Sequence, residues 1–145
     1  MRRIVILGAD GMLGNYVTRY LAKKKYHVWP LTRADFDLTW LYEIHDFFDY
    51  CELDKEDVII NCAGIIPQRG EENQTNLDYI LINSVLPNYL ADLSPKVIHI
   101  TTDCVYNGYL GGYLEGDPHD DTSVYGKSKS LGENKKNTNI RTSII

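Results

Sequence analysis

Cysteine is scarce in this 145-residue chain. Cys51, Cys62 and Cys104 are odd in number and far apart, and no pair has the spacing of metal ligands. Neither a metal centre nor a disulfide framework is expected, and a reducing, cytoplasmic setting fits best. Positive charge is also short. Fifteen Lys and Arg stand against 20 Asp and Glu, a formal net charge of -5. Nucleic acids and anionic membranes attract basic faces, so neither is expected as a partner. The one basic cluster, Lys23 to Lys25, follows the apolar run of a first helix, where cations complement the helix dipole. A solvated helix end accounts for it. No apolar stretch is long enough to span a bilayer. Met1-Arg2-Arg3 leads into only a short apolar run before Asp10, too little for a signal peptide. Internal repeats, low-complexity tracts and interdomain linkers are absent as well.

What is present is an ordinary globular balance, 43% hydrophobic and 24% charged, in a length that suits one domain with a real core. Apolar runs alternate with helical periodicity. Strands are expected at Arg3–Leu7, Tyr26–Leu31, Val58–Ala63, Val97–Thr101 and Ile140–Ile145. Helices are expected at Asn15–Lys24 (Val17, Tyr20 and Leu21 inward), Leu41–Tyr50 (Ile44, Phe47 and Phe48 inward), Leu77–Leu93 (kinked at Pro87) and Val124–Lys135. Gly108–Thr122, rich in Gly, Asp and Tyr, reads as a loop. Strands that are apolar on both faces and alternate with helices imply right-handed βαβ units around a parallel sheet, an α/β fold. Residues 1–145 form one such domain. Because the sequence stops on Ile144-Ile145, inside an apolar run, a further C-terminal portion is expected in the natural protein.

Gly8, Gly11 and Gly14 follow the first strand and open the first helix at Gly-x-x-Gly-x-x-Gly spacing. The first glycine lets the chain turn, the second lets a pyrophosphate approach the helix N-terminus, and the third lets helix and sheet pack closely. Asp10, Met12 and Leu13 complete this phosphate loop. Position between strand and helix separates it from a merely structural glycine turn. An acidic residue ending the second strand would bind ribose hydroxyls and favour NAD; here that strand runs into Thr32-Arg33, and an arginine suits the 2′-phosphate of NADP. NADPH is therefore expected, with NADH as the alternative cofactor. Asp35 and Asp37 lie nearby and leave the choice open, as does the reading of Arg33 as a plain loop cation. Asp37-Leu38 would flank the adenine.

Tyr125 and Lys129 are four apart and share a helical face. A phenol with pKa about 10 is a poor acid–base group at neutral pH, and a nearby ammonium lowers that value. The phenol then protonates a carbonyl oxygen as hydride arrives. Tyr20 and Lys24 share the spacing and read instead as a packed aromatic beside a solvated lysine. Tyr125 differs in following a strand that ends Thr101-Thr102-Asp103, at the carboxyl edge where open α/β sheets bind ligands. Thr102 would give the same carbonyl oxygen a second hydrogen bond.

Gly8 to Gly14, Asn61-Cys62-Ala63-Gly64, Asn83-Ser84, Thr101 through Gly108, Tyr125-Gly126-Lys127-Ser128-Lys129 and Arg141-Thr142-Ser143 together resemble the extended short-chain dehydrogenase/reductase family, and within it the dTDP-4-dehydrorhamnose reductase-like group. The resemblance covers essentially the whole chain. It implies a Rossmann-type, doubly wound parallel sheet with helices on both faces, followed in the group by a C-terminal substrate-binding part. It implies NADPH-dependent reduction of a 4-keto group on a nucleotide-linked 6-deoxy sugar, with a homodimer allowed. Thr102, Tyr125 and Lys129 would form the catalytic set, and Lys129 would also hold the nicotinamide ribose. Cys62, Ala63, Gly64 and Asn83 would meet the cofactor, and Ile66, Asp103, Cys104 and Val105 the substrate. Members that dehydrate their sugars carry Thr-Asp-Glu where this chain has Thr102-Asp103-Cys104, so dehydration is not expected. Rhamnose-forming members often carry Tyr at the position of Cys104 and Thr near that of Ile66, which leaves the sugar open. An epimerase holding NAD and a non-catalytic NADP-binding subunit are the alternatives; Arg33 opposes the first, and retention of Thr102, Tyr125 and Lys129 opposes the second.

Overall fold

The computed structural model describes residues 2–40, 45–46, 48–49, 52–67, 74–94 and 96–143. Five strands, β1 (Arg3–Leu7), β2 (His27–Leu31), β3 (Val58–Asn61), β4 (Val97–Thr102) and β5 (Thr138–Thr142), form one sheet in the order β2-β1-β3-β4-β5. Every pairing is parallel. The chain steps from β1 outward to β2, then reverses across β1 to β3 and continues the other way. Right-handed crossovers running in opposite directions put their helices on opposite faces, the doubly wound arrangement expected from the sequence. Reversal between β1 and β3 also leaves a crevice outside their carboxyl ends.

Residues of β1 to β4 and of the helical segments supply the core: Val5, Leu7, Leu31, Ile59, Val97, Leu86 and Leu90 pack together with Phe48. Burial on both faces holds only for the inner strands. In β2 only Leu31 is fully buried, and β5 alternates, because each has a single strand neighbour among the described residues. At the amino ends of the strands, Arg3 donates Nε–H and backbone N–H to the two oxygens of Asp57, at 2.9 and 2.7 Å. Burial would raise the Asp57 carboxyl; Arg3 and the backbone N–H of Asp54 outweigh it and hold the carboxyl down at about 2.

Helix α1 (Met12–Lys23) starts three residues before the expected Asn15. Its inward face is Gly14, Val17, Thr18 and Leu21, whereas Tyr20 is half exposed, stacked on Tyr16 and covered by Lys24 Nζ at 5.6 Å. The packed aromatic expected there is thus a surface ring. The long helix expected over 77–93 is three pieces: α2 (Asn76–Ile80), a π turn (Leu81–Val85) and α3 (Leu86–Leu93). Pro87 has no N–H for the carbonyl of Asn83, and the ladder widens one turn earlier instead of only bending. After β4, a 3-10 turn (Asp103–Val105) and an irregular loop lead to α4 (Val124–Gly132), capped by the Ser123 hydroxyl accepting from Gly126 N–H at 2.9 Å. Helix α4 ends three residues short of Lys135 because Glu133 leaves helical geometry. Most of the helix expected at 41–50, with Ile44 and Phe47, lies outside the described residues, as do Cys51 and Ile144-Ile145.

Candidate active site

The turn after β1 is built by contact. Gly8 adopts φ +74°, and a Cβ on it would meet Ala63 N at 2.9 Å. Gly14, one turn into α1, rests on the Gly8 carbonyl with no space for any side chain. Ala9 N–H donates to Leu31 O at 3.0 Å and Cys62 N–H to Leu7 O at 3.1 Å, so the turns after β1, β2 and β3 are tied to one another. They enclose a cleft of about 530 Å³. Gly8, Asp10 and Gly11 line it from β1; Arg33, Asp37 and Leu38 from the turn after β2; Cys62, Ala63 and Gly64 from β3. Met12 and Leu13 begin α1 beside it, with Met12 81% exposed, so only their backbone N–H groups are suited to an anion there. The carboxylate of Asp35 accepts from Thr32 N–H and hydroxyl, and that of Asp37 from Thr39 N–H and hydroxyl, all at 2.7–2.9 Å. Each acid therefore spends one oxygen on its own turn. Burial pushes the Cys62 thiol up to about 11, so this cleft offers no thiolate at neutral pH.

A second cleft, about 520 Å³, opens past the end of β4. Tyr125 and Cys104 line it, together with Tyr79 from α2, Pro67, Asp121 and Ser123. Ile66 sits between Ile65, which lines the first cleft, and Pro67, which lines the second. Arg141 on β5 braces this side, donating to both Glu133 oxygens at 2.9 and 2.8 Å and to the Tyr106 hydroxyl at 2.6 Å.

Between the clefts runs α4. Lys129 is 5% exposed, and a Cβ on Gly64 would lie 2.7 Å from its Nζ. The glycine leaves that space to the ammonium at the edge of the first cleft. Burial lowers its pKa to about 8. Its Nζ has no hydrogen-bond or carboxylate partner among the described residues. Tyr125 behaves opposite to expectation. Its phenol is pushed up, first by burial and then by Cys104, Asp103 and Tyr79, with the Thr102 hydroxyl countering in part. Lys129 faces Gly64 and does not lower it, so the phenol is held protonated at neutral pH. Thr102 accepts from Cys104 N–H at 3.1 Å, and its hydroxyl makes a long donation to Asp103 Oδ1 at 3.5 Å beside the phenol.

Two of the expected site residues are interior in this structure. Asn83 is fully buried and its amide hydrogen-bonds within the protein: Oδ1 accepts from Ile65 N–H at 2.9 Å, and Nδ2 donates to Ile65 O at 3.0 Å and Ser128 Oγ at 3.1 Å. It fastens the β3 turn to α4, with both Nδ2 hydrogens and one Oδ1 lone pair engaged inside the protein. Val105, 1% exposed, is a core residue, and its carbonyl accepts from Asp121 N–H at 3.1 Å. Asp103 is exposed but accepts from the Ser143 hydroxyl at 2.7 Å. The sequence reading missed Tyr79 and His99. A lone histidine between isoleucines in Val-Ile-His-Ile-Thr was a visible signal; nothing local marks Tyr79. Among the described residues no group of three His, Cys, Asp or Glu could hold a metal, and no helix is long and apolar enough to cross a membrane.

The chain is similar to known proteins along its whole length. The spore coat polysaccharide biosynthesis protein SpsK of Bacillus subtilis is 34% identical over all of this chain and 54% of its own length. The dTDP-4-dehydrorhamnose reductase of Mycobacterium tuberculosis (strain ATCC 25618 / H37Rv) is 32% identical over 90% of this chain and 44% of its own. Among solved structures, a dTDP-4-dehydrorhamnose reductase of Bacillus anthracis in complex with NADP matches with TM-score 0.81 and 27% identity, over 99% of this chain and 54% of that one. The chain thus spans about half the length of the relatives it matches. The family model described as the RmlD substrate binding domain matches residues 1–145, and the chain belongs to that family.

Proposed function

We propose that this chain is the cofactor-binding and proton-donating half of an NADPH-dependent reductase that acts on the 4-keto group of a nucleotide-linked 6-deoxy sugar. One observation carries the reading: helix α4 links the two clefts, with Lys129 against Gly64 at the edge of the first and Tyr125, one turn earlier, lining the second. The names of the relatives, dTDP-4-dehydrorhamnose reductases among them, and the NADP in the Bacillus anthracis structure support it.

The residues fit a dinucleotide. The contacts of Gly8 and Gly14 keep side chains out of the phosphate turn, and Gly11 and Gly64 leave backbone open along the first cleft. Arg33, beside acids partly engaged by their own turns, favours a 2′-phosphate. When bound, the cofactor supplies a hydride. Every other task falls to the chain. Tyr125, held neutral by burial, is in the form that donates a proton to the oxygen of a carbonyl as negative charge develops on it. Thr102 donates a hydrogen bond to that oxygen, and the Lys129 cation at Gly64 favours the developing charge and can hold a ribose hydroxyl. Cys104 and Tyr79 would border the sugar.

Tyr125→Phe in the full-length protein tests this reading. Loss of general acid catalysis should cost roughly 100- to 10,000-fold in turnover with a dTDP-4-keto-6-deoxy sugar, with NADPH affinity unchanged. Tyr20→Phe, on the outer face of α1, should be silent in the same assay. Near-normal turnover of Tyr125→Phe would remove the assignment; cofactor binding with no turnover by the unaltered protein would favour a non-catalytic NADP-binding subunit.

A further inference from the structure

His99 sits in the middle of β4, opposite Asn61 of β3, with isoleucine on either side and no exposure. Its hydrogen bonding can be worked out without choosing a tautomer. The backbone N–H of Ala63 can only donate, and it meets Asn61 Oδ1 at 3.1 Å. The other end of that amide, Nδ2, must then face His99, whose Nδ1 is 3.2 Å away. An amide NH₂ also only donates, so Nδ1 must accept, and the ring proton lies on Nε2. Nε2 is buried and has no partner among the described residues. An unmatched N–H in the core is costly, and an aliphatic side chain like those of Ile98 and Ile100 would avoid that cost. The imidazole earns its place at Nδ1.

We propose that His99 is a positioning residue: its Nδ1 fixes the orientation of the Asn61 amide, and through it holds the Ala63 N–H and the Cys62–Gly64 turn in the shape the first cleft and Lys129 require. The argument rests on the cofactor reading above. The charged groups acting on the ring come from α4 and the residue that follows it. Lys129 opposes protonation and Glu133 favours it; burial, the largest influence, acts with Lys129 and holds the ring neutral, with a pKa of about 4. A protonated Nδ1 could not accept from Asn61, so the neutral form is the working form.

The experiment combines NMR on the protein with NADPH titration of two variants. Nitrogen-15 spectra should find His99 as the Nε2–H tautomer, without titration between pH 8 and 5. His99→Phe removes the acceptor and should weaken NADPH about 5- to 10-fold, the scale of one lost hydrogen bond, while speeding exchange of the Ala63 amide hydrogen. His99→Gln keeps an acceptor oxygen and should recover most of that affinity. An Nδ1–H tautomer, a His99 titration above pH 6, or wild-type NADPH affinity in His99→Phe would overturn the proposal. So would folded His99→Gln with no recovery. If His99→Phe does not fold, the tautomer and the Gln variant decide. Undiminished turnover in Tyr125→Phe would undo the reductase assignment and leave these readouts standing.

Discussion

Lys129 is a cation held almost out of water, and that has a thermodynamic signature. Its folded pKa of about 8, against an ordinary 10.5, means that the charged form costs the folded state about 3 kcal/mol at neutral pH. Between pH 8 and 10.5 the unfolded chain binds more protons at this residue than the folded one, so stability rises with pH. Above pH 9 the Cys62 thiol, held up to about 11, acts in the opposite sense, because there the folded state keeps the proton. The clean window is therefore pH 8 to 9. Lys129→Met should stabilise the chain by about 1–3 kcal/mol at pH 7, after allowance for imperfect packing, and abolish the rise across that window. Urea melts at pH 7, 8 and 9 read this directly; a variant no more stable than the parent would mean that the ammonium is not strained. Retaining so unfavourable a residue argues for its use in the chemistry.

At the scale of elements, α4 and the π turn are fitted by one glycine. A Cβ on Gly132 would overlap the Asn83 carbonyl and lie 3.0 Å from Pro87 Cγ. Alanine is the better helix former by about 1 kcal/mol, yet the obstacle is backbone and ring rather than a movable side-chain end. Gly132→Ala should therefore destabilise by about 1–3 kcal/mol. Gly116→Ala, with nothing within 4 Å of the added atom, should change little. Equal denaturation midpoints for the two would contradict the close fit. These elements also mark what the sequence could and could not reveal. The Gly-x-x-Gly-x-x-Gly turn, the parallel strands and the Tyr125–Lys129 spacing were legible because local spacing dictates them. The use of Asn83 was not, since its partners Ile65 and Ser128 lie 18 and 45 residues away. Tyr79 reaches the second cleft on a helix whose register is reset by the π turn just after it, which regular 3.6-residue spacing does not anticipate. Val105 looked available in a motif and proved to be interior, because the loop from Asp121 folds back over it.

For the molecule as a whole, a ligand that binds only the folded state raises the melting temperature with concentration. NADPH should stabilise this chain more than NADH at equal concentration, and Arg33→Ala should erase the difference while leaving the NADH shift intact. Thermal melts with each cofactor check it, and an equal loss for both would assign Arg33 another task. The sheet also has two unlike ends. At the amino ends of the strands, Arg3 and Asp57 clamp β1 to the start of β3; at the carboxyl ends lie the glycine turns, both clefts and α4's contact with Gly64. The Arg3–Asp57 fastening is thus remote from the surfaces that would meet ligands. For anyone diversifying the protein, this is a partition of risk: libraries confined to the turns beyond Leu31 and Thr102 can search for new sugars or cofactors while the Arg3–Asp57 fastening is inherited unchanged.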